Sequence, residues 1–454
     1  MKFLKDFGKT PHVFRDPIYG FIKLNNSELE IIDTPLFQRL RRISQLALTK
    51  YVYPCAEHSR FAHSLGVLHT ATNFFINIYK KSDKSLFPTA SEDIARHLKI
   101  LRFAALLHDI GHLPFSHAAE KVFFKHDITH EELSQFIIEK YSPITDIITK
   151  SGVKPKDVSN ILGESPPTEL LKILKKIISG QLDADRADYL LRDSYSCGVK
   201  YGEYDYHRYV NSFLLKKNEK DMLQLCIEEK NIYVIESFLM ARYHYNLQVP
   251  FHRTRAGYDI ILKKYIETSK EEKEFIEYDE NNIAKLHEDV FELFDDYKIF
   301  EKIKIDSQKN NIWAKMLMRQ GHITPIFDHI DTDRISANKD NELYNRYKYM
   351  LKGLKDKKLK ENEDFFRYEK KVEISKLLEQ VHNKDDDTDK KKLYNLGVIG
   401  NENEPEDILK YSNILNQLKK PIMILRIYIL NQHKELGAKI KDEAYNHFKE
   451  LKEV

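Results

Sequence analysis

The chain is 454 residues long, enough for two domains or for one large core with an appendage. Its 15 glycines and 14 prolines suit a helix-rich protein better than a barrel or sandwich, and 73 Lys plus Arg against 70 Asp plus Glu leave no bulk charge that indicates nucleic acid. Cys55, Cys197 and Cys226 form no C-x-x-C pair, so neither a disulfide framework nor a thiolate zinc site is indicated. The N-terminus lacks a sustained apolar stretch, and the apolar run over 421–430 is short and carries Arg426. The expectation is a soluble protein of the reducing cytoplasm with no membrane partner.

Residues 13–24 hold two short apolar pieces around Asp16-Pro17 and Gly20, which predicts a small hairpin or extended arm. Asp33-Thr34-Pro35 is a helix start, a capping carboxylate or hydroxyl ahead of proline in the first turn. That helix is expected to carry Phe37, Leu40, Ile43 and Leu46 on one face, with Gln38, Arg39, Arg41, Arg42 and Gln45 on the others. Residues 58–69 open the next helix, striped by Phe61, Leu65 and Leu68. Gly66 would admit a second backbone closely, and Arg60 and His63 share a neighbouring face. Taken alone, His63 is explained as a satisfied core or surface histidine.

A helix over 92–110 follows, with apolar last turns that end abruptly in His108, Asp109, His112 and His117. Gly111 and Pro114 are a helix-ending pair, and the dipole at a helix C-terminus favours a cation. Unpaired charges are costly to bury, and a metal ion is the simplest partner. Adjacent imidazole and carboxylate can converge on one metal, or the carboxylate can bridge two. A capped helix end is the plainer alternative.

Residues 129–139 form an amphipathic helix with His130 and Glu131 in its first turn, where a surface role explains both. Residues 180–193 place Asp185, Arg186, Tyr189 and Asp193 down one side of a helix, with Ala187, Leu190 and Leu191 on another; a solvated face accounts for such alternation equally well. Residues 213–217 and 222–227 read as a hairpin, and a long helix over 231–249 leads to the basic cluster His252, Arg253 and Arg255. Beyond Thr268 the composition shifts, with charge-rich runs at 352–360 and 383–392, the latter expected as a mobile loop. The chain therefore divides into 1–268 and a mostly helical, charge-rich 269–454 that is the expected place for subunit contacts or regulation. No internal repeat is evident.

Together, His63, His108-Asp109 and Asp185 give the order H…HD…D, which resembles the HD superfamily of metal-dependent phosphohydrolases. Asp16-Pro17-Ile18-Tyr19-Gly20, residues 33–41, 60–66 and 108–117, Thr129-His130-Glu131 and residues 183–193 look like one branch of it. That branch holds the SAM-and-HD-domain deoxynucleoside triphosphate triphosphohydrolase and its bacterial dGTPase-like relatives. The resembling stretch starts close to the N-terminus, so no SAM domain is expected. The resemblance implies a mainly α protein: an HD-domain helical bundle with small β-hairpin elements and a helical C-terminal region.

The same resemblance implies one or two divalent ions, Fe, Mn, Mg, Zn or Ni, held by His63, His108, Asp109 and Asp185, a mixed nitrogen and oxygen set that leaves positions for water and phosphate. It implies that His130, oriented by Glu131, gives a proton to the departing sugar oxygen, with His112 as the other candidate; His117 is left structural. Arg60, Arg186, Arg242, His252 and Arg253 are the basic groups expected to meet the polyphosphate. Tyr189 and Asp193 match positions that contact phosphate and sugar, and Gln45 one that reaches the sugar hydroxyl. Pro250 stands where relatives often carry a sugar-stacking tyrosine, so ribonucleotides are expected to be accepted. His12 replaces a basic allosteric residue of animal members; Asp33, Gln38 and Arg41 are then either a site for an activating nucleotide or a cap and a surface arginine.

The implied activity cleaves a (deoxy)nucleoside triphosphate to nucleoside and inorganic triphosphate by attack of metal-bound hydroxide on the α-phosphorus, in a homo-oligomer, dimer or tetramer. One rival is an HD-type nucleotide phosphatase, phosphodiesterase or single-strand nuclease. The other is a nucleotide-sensing or nucleic-acid-binding module, which has no need of all four ligands.

Overall fold

A computed structural model describes residues 12–118, 122, 129–163, 166–269, 277–278, 284–285, 291–331, 342–374, 396–400, 404–418 and 421–453. The N-terminal arm is the expected hairpin, with β1 (His12–Asp16) antiparallel to β2 (Gly20–Leu24) and Gly20 at φ +75° in the turn. A capping box of Asn25 and Glu28 starts α1 (Asn26–Ile32), and Thr34 caps α2 (Pro35–Arg39).

The helix expected to run on to Leu46 stops at Arg39 and continues only as one 3-10 turn over Leu40–Arg42. Ile43 is extended: its carbonyl accepts from Arg60 N, Ser44 bridges to Ser59, and Gln45 N donates to His58 O. This pairing overrides the helical periodicity and brings Gln45 beside the start of the next helix.

That helix, α3 (Arg60–Lys81), buries Phe61, Leu65, Leu68, Ala71, Phe74, Phe75 and Ile78. Each of the larger ones, the Leu, Ile and Phe side chains, contributes about 1.5–3 kcal/mol by leaving water. It packs against α4 (Ser91–Leu107), whose last turns from Ile100 to Leu107 are buried on every side. Apart from Arg102, which is paired with the buried Glu28, these turns are apolar all round, as suits a stretch inside a core, and they deliver His108 and Asp109 into the interior. The next helices are α5 (His130–Lys140), α6 (Ser142–Lys150), α7 (Pro155–Leu162), α8 (Glu169–Ser179) and α9 (Ala184–Cys197). Asp183 caps α9, and Gly198 at φ +68° ends it.

After α10 (Tyr206–Asn211), the expected hairpin forms from β3 (Phe213–Lys217) and β4 (Leu223–Glu228), followed by α11 (Ile232–Gln248) and α12 (Arg253–Thr268). Further along, β5 (Glu277–Tyr278) and β6 (Ala284–Lys285) pair in a short ladder, and α13 (Asp296–Gln308) and α14 (Ile312–Leu317) pack together. A three-stranded antiparallel sheet has β7 (Ile323–Asp331) and β8 (Phe365–Val372) on either side of β11 (Ile422–Leu430), with α15 (Glu342–Asp356) and α17 (Lys434–Glu453) packed together beside it. The apolar run at 421–430 is thus the sheet's centre, and its Arg426 donates to Asp328 on β7 and to the Phe251 carbonyl.

The β3–β4 hairpin is extended by β9 (Gly397–Ile399), parallel to β4, and by β10 (Pro405–Asp407), which leads to α16 (Asn413–Leu418). One sheet therefore contains strands from both sides of residue 268. The main core is likewise continuous, reaching from Ile22 through Leu317 to Tyr428. The charge-rich run at 383–392 lies outside the described residues. Among the described residues no helix is long and apolar enough to cross a membrane, and the architecture is mainly α.

Candidate metal centre and active site

Four helices and one turn supply the centre. His63 comes from the first turn of α3, His108 and Asp109 from the end of α4, His112 from the turn beyond it, His130 from the start of α5, and Asp185 from the first turn of α9. Two groups have donor atoms close enough to hold an ion: His63, His108 and Asp185, and Asp109, His112 and His130. Asp109 lies between them, with Oδ1 3.3 Å from His108 Nε2 and 3.4 Å from His112 Nε2, and Oδ2 3.8 Å from His63 Nε2.

His63 is buried, with Nδ1 2.8 Å from Asp188 Oδ2 and Nε2 3.0 Å from Asp185 Oδ1. Burial opposes its protonation, but the bonds to Asp185 and Asp188 and the Asp109 charge outweigh it and raise the imidazole to about 10. The same pairing lowers the carboxyl of Asp185 against its own burial. For Asp109, burial is outweighed by Arg60, His108 and His112, which hold it well below the ordinary carboxylate range.

His108 donates Nδ1–H to the Ala105 carbonyl at 2.9 Å, which fixes the tautomer and leaves Nε2 as a lone-pair donor. That Nε2 is buried and has no hydrogen-bond partner among the described residues. A buried imidazole nitrogen without a partner is costly, and it faces two carboxylates. Nitrogen and oxygen donors of this kind fit a divalent ion.

Arg60 donates to Asp109 Oδ2 at 2.5 Å and to Ser116 Oγ at 2.7 Å. The rings of His112 and His130 are stacked, 3.8 Å between centroids and 16° apart in plane. Burial, followed by the nearby Arg60 and His130, pushes His112 well below the ordinary imidazole value. These groups open on a cavity of about 640 Å³ that Gln45, Arg60, His108, Asp109, His112, His130, Glu131, Asp185, Tyr189 and Asp193 line.

Other residues singled out in the sequence lie elsewhere. Arg186 is turned to Asp183 and the Gly180 carbonyl, and Arg242 is buried with no part in the cavity wall. His252 caps α12 by accepting from Thr254 N, and Arg253 is exposed beside it; neither lines the cavity. Asp33 follows α1 as its cap, Gln38 donates to the Ile32 carbonyl and accepts from Arg41, and Arg41 lies over the Phe61 ring at 3.5 Å. The side chain of His117 lies outside the described residues.

Several partners escaped the sequence reading. Asp188 is one, although it sits one helical turn beyond Asp185 and that spacing was there to find. His58 and Tyr245 both bond Asp193, the histidine at 2.7 Å, and hold its carboxylate at the cavity wall. Arg39, expected on an outer face of its helix, is fully buried and donates to the Ile110 and His112 carbonyls at 2.9 and 2.8 Å and to Phe294 O at 3.0 Å. It pins the turn that follows His108 and Asp109 and carries His112.

A family model, the HD domain, matches residues 60–193. The chain is 36% identical over 261 residues to the uncharacterized protein YwfO of Bacillus subtilis, covering 57% of this chain and 56% of that protein. It is 32% identical over 262 residues to the deoxynucleoside triphosphate triphosphohydrolase SAMHD1 of Bos taurus, covering 51% of this chain and 43% of that one. The chain spans about half the length of the curated relatives it matches. Among solved structures, the crystal structure of a hypothetical protein from Aquifex aeolicus is similar over 95% of this chain and 100% of its own, with a TM-score of 0.75 and 25% identity.

Proposed function

We infer, from the premise that this chain belongs to the HD superfamily, that it is a metal-dependent (deoxy)nucleoside triphosphate triphosphohydrolase, releasing nucleoside and inorganic triphosphate. The observation that carries the reading is the convergence of two ion-competent groups, His63, His108 and Asp185 with Asp109, His112 and His130, at a cavity that Gln45, Tyr189 and Asp193 also line. A divalent ion held by His63, His108, Asp109 and Asp185 would polarise a phosphoryl oxygen and lower the pKa of water.

The chain's own groups do the rest. Arg60 neutralises Asp109 through Nη1 and leaves Nη2 for a phosphate oxygen. His130 is placed, by its stack on His112, to pass a proton to the departing sugar oxygen, with Glu131 beside it to orient the ring. Gln45, Tyr189 and Asp193 take the sugar side, where His58 and Tyr245 hold Asp193 still. The activity named for the bovine relative supports the substrate class. An activating nucleotide at Asp33, Gln38 and Arg41, and a dimer or tetramer, belong to the same proposal.

The test is chromatography of products from deoxynucleoside and ribonucleoside triphosphates with Fe, Mn, Mg, Zn or Ni, alone and in mixtures. Inorganic triphosphate is the expected product. Release of orthophosphate, or shortening of an oligonucleotide, would replace this reading with a phosphatase or a nuclease. Mixed nucleotides that leave the rate unchanged would remove the activator, and sedimentation reads the assembly.

A further inference from the structure

His63 is held from behind by a chain of buried charges that ends in the N-terminal arm. Its Nδ1 meets Asp188 Oδ2 at 2.8 Å. Arg192 grips both oxygens of Asp188, Nε on Oδ2 at 2.8 Å and Nη2 on Oδ1 at 2.9 Å, and extends Nη1 to Asp16 Oδ2 at 2.8 Å. Asp16 closes the β1–β2 turn, its Oδ1 accepting from Ile18 N at 2.9 Å and Tyr19 N at 3.0 Å. All four side chains are buried, at 1%, 0%, 2% and 6% exposure in the order His63, Asp188, Arg192, Asp16.

The room for this chain is made by Gly66. A Cβ there would sit 1.8 Å from Asp188 Oδ1 and 2.4 Å from Arg192 Nη2. The close neighbour expected at this glycine is therefore a pair of side chains, where the sequence suggested a backbone.

We propose that Asp16, Arg192 and Asp188 are positioning residues for the metal centre, a relay that fixes the tautomer and ring orientation of His63 and makes the N-terminal hairpin part of the ion's binding free energy. A carboxylate that accepts Nδ1–H leaves Nε2 as the ligand atom and raises its basicity, and such partners are worth roughly 10–100-fold in metal affinity. Arginine suits the middle position because its planar fork grips Asp188 through two N–H groups and still presents Nη1 to Asp16, a fixed geometry that the point charge of a lysine does not reproduce. Two buried carboxylates against one guanidinium also leave one negative charge facing His63. Out of water, that charge is balanced by a positive charge on the ring or on an ion bound beyond it.

The inference rests on the metal-centre reading and not on the identity of the substrate. It is tested by titrating the full-length metal-free protein with Co²⁺ against a chromophoric chelator, with thermal melting alongside. Asp16→Asn keeps an oxygen for the turn but sets N–H against Arg192; it is expected to weaken Co²⁺ binding about 10-fold with a cooperative melt retained, and Asp188→Asn by at least as much. Phe21→Ala, on the exposed face of the same hairpin, should leave the affinity unchanged.

Wild-type affinity in Asp16→Asn would overturn the relay. So would an equal loss in Phe21→Ala, because the effect would then belong to the hairpin's fold. Should Asp16→Asn not fold, Arg192→Lys keeps the buried charge without the fork, and wild-type affinity there overturns the relay in the same way. A wild-type protein that takes no divalent ion removes the metal-centre reading itself and the relay with it, whereas an unexpected product with normal ion binding leaves the relay standing.

Discussion

His112 and His130 reach the cavity from different helices and lie ring on ring, 3.8 Å between centroids. One of the pair is buried and held neutral by its surroundings, while the other is partly open to the cavity. Replacing His130 by alanine should lower turnover about 10²–10⁴-fold, the usual worth of a positioned general acid, with metal content kept. Metal analysis beside kinetics checks this. His130 also belongs to an ion-competent group with Asp109 and His112, so loss of an ion in that variant would make it a ligand.

Asp109 and Asp185 each face His63 and belong to different ion-competent groups. Asp109→Ala and Asp185→Ala should each abolish turnover and reduce bound metal while circular dichroism stays native. Asp109→Ala should be the more damaging to stability, because it leaves Arg60 buried without its carboxylate, a loss of roughly 3–5 kcal/mol for a broken buried pair. Full activity in either variant would remove it from the centre.

Asp296 begins α13 and accepts from Phe115 N at 2.8 Å and Ser44 N at 2.9 Å, bracing the two loops that flank the centre. Burial raises its carboxyl to about 6 in spite of those bonds. Its folded-state value is above the unfolded one, so the stability tied to its proton is complete below about pH 4 and is lost as the pH rises to about 6. The slope is at most about 1.4 kcal/mol per pH unit. Urea unfolding of wild type and Asp296→Asn at several pH values should show wild type losing stability relative to the variant over that window and no further above it; wild type gaining stability relative to the variant as the pH rises would refute the assignment.

Pro250 and Phe251 line the cavity beyond Tyr245. With proline in place of a stacking phenol at position 250, ribonucleoside triphosphates should, on the proposed function, be turned over within about tenfold of their deoxy counterparts, a difference worth about 1.4 kcal/mol. Pro250→Tyr should widen the gap. A strict deoxy preference in the wild type, measured as kcat/KM across a substrate panel, would count against this.

How much of this was legible beforehand depended on range. The two hairpins were readable because turn chemistry is local: Asp16-Pro17 and Gly20 in one, residues 218–221 in the other. The end of α4 was readable as an ion-seeking terminus because its polarity changes within one turn. His63, His130 and Asp185 were not, since each alone is an ordinary helix residue and only the fold brings them together; family resemblance named them ahead of any geometry.

Asp188 and Arg192 were not singled out, because the charged stretch 180–193 is explained equally well as a solvated face and alternation of charge says nothing about what covers it. The helix through Leu46 failed at Ile43, where pairing with residues 58–60 won over periodicity. The strand at Ile422–Leu430 read only as an apolar run, since a strand buried on both faces shows no alternation and its partners lie far away in sequence.

The parallel pairing of Cys226, Ile227 and Glu228 with Gly397, Val398 and Ile399 has a practical meaning for anyone who trims this chain. A fragment that stops at residue 268 would keep both ion-competent groups, yet β4 would present bare backbone N–H and C=O groups at Cys226 to Glu228, beside Leu225 and Ile227, which are buried in the whole protein. Such an edge recruits other chains. The same cut removes Phe294, Ile299, Ile303 and Leu317 from the main core, so the first 268 residues made alone are expected to aggregate, and β9 supplied as a separate segment would cover the strand edge without restoring that core.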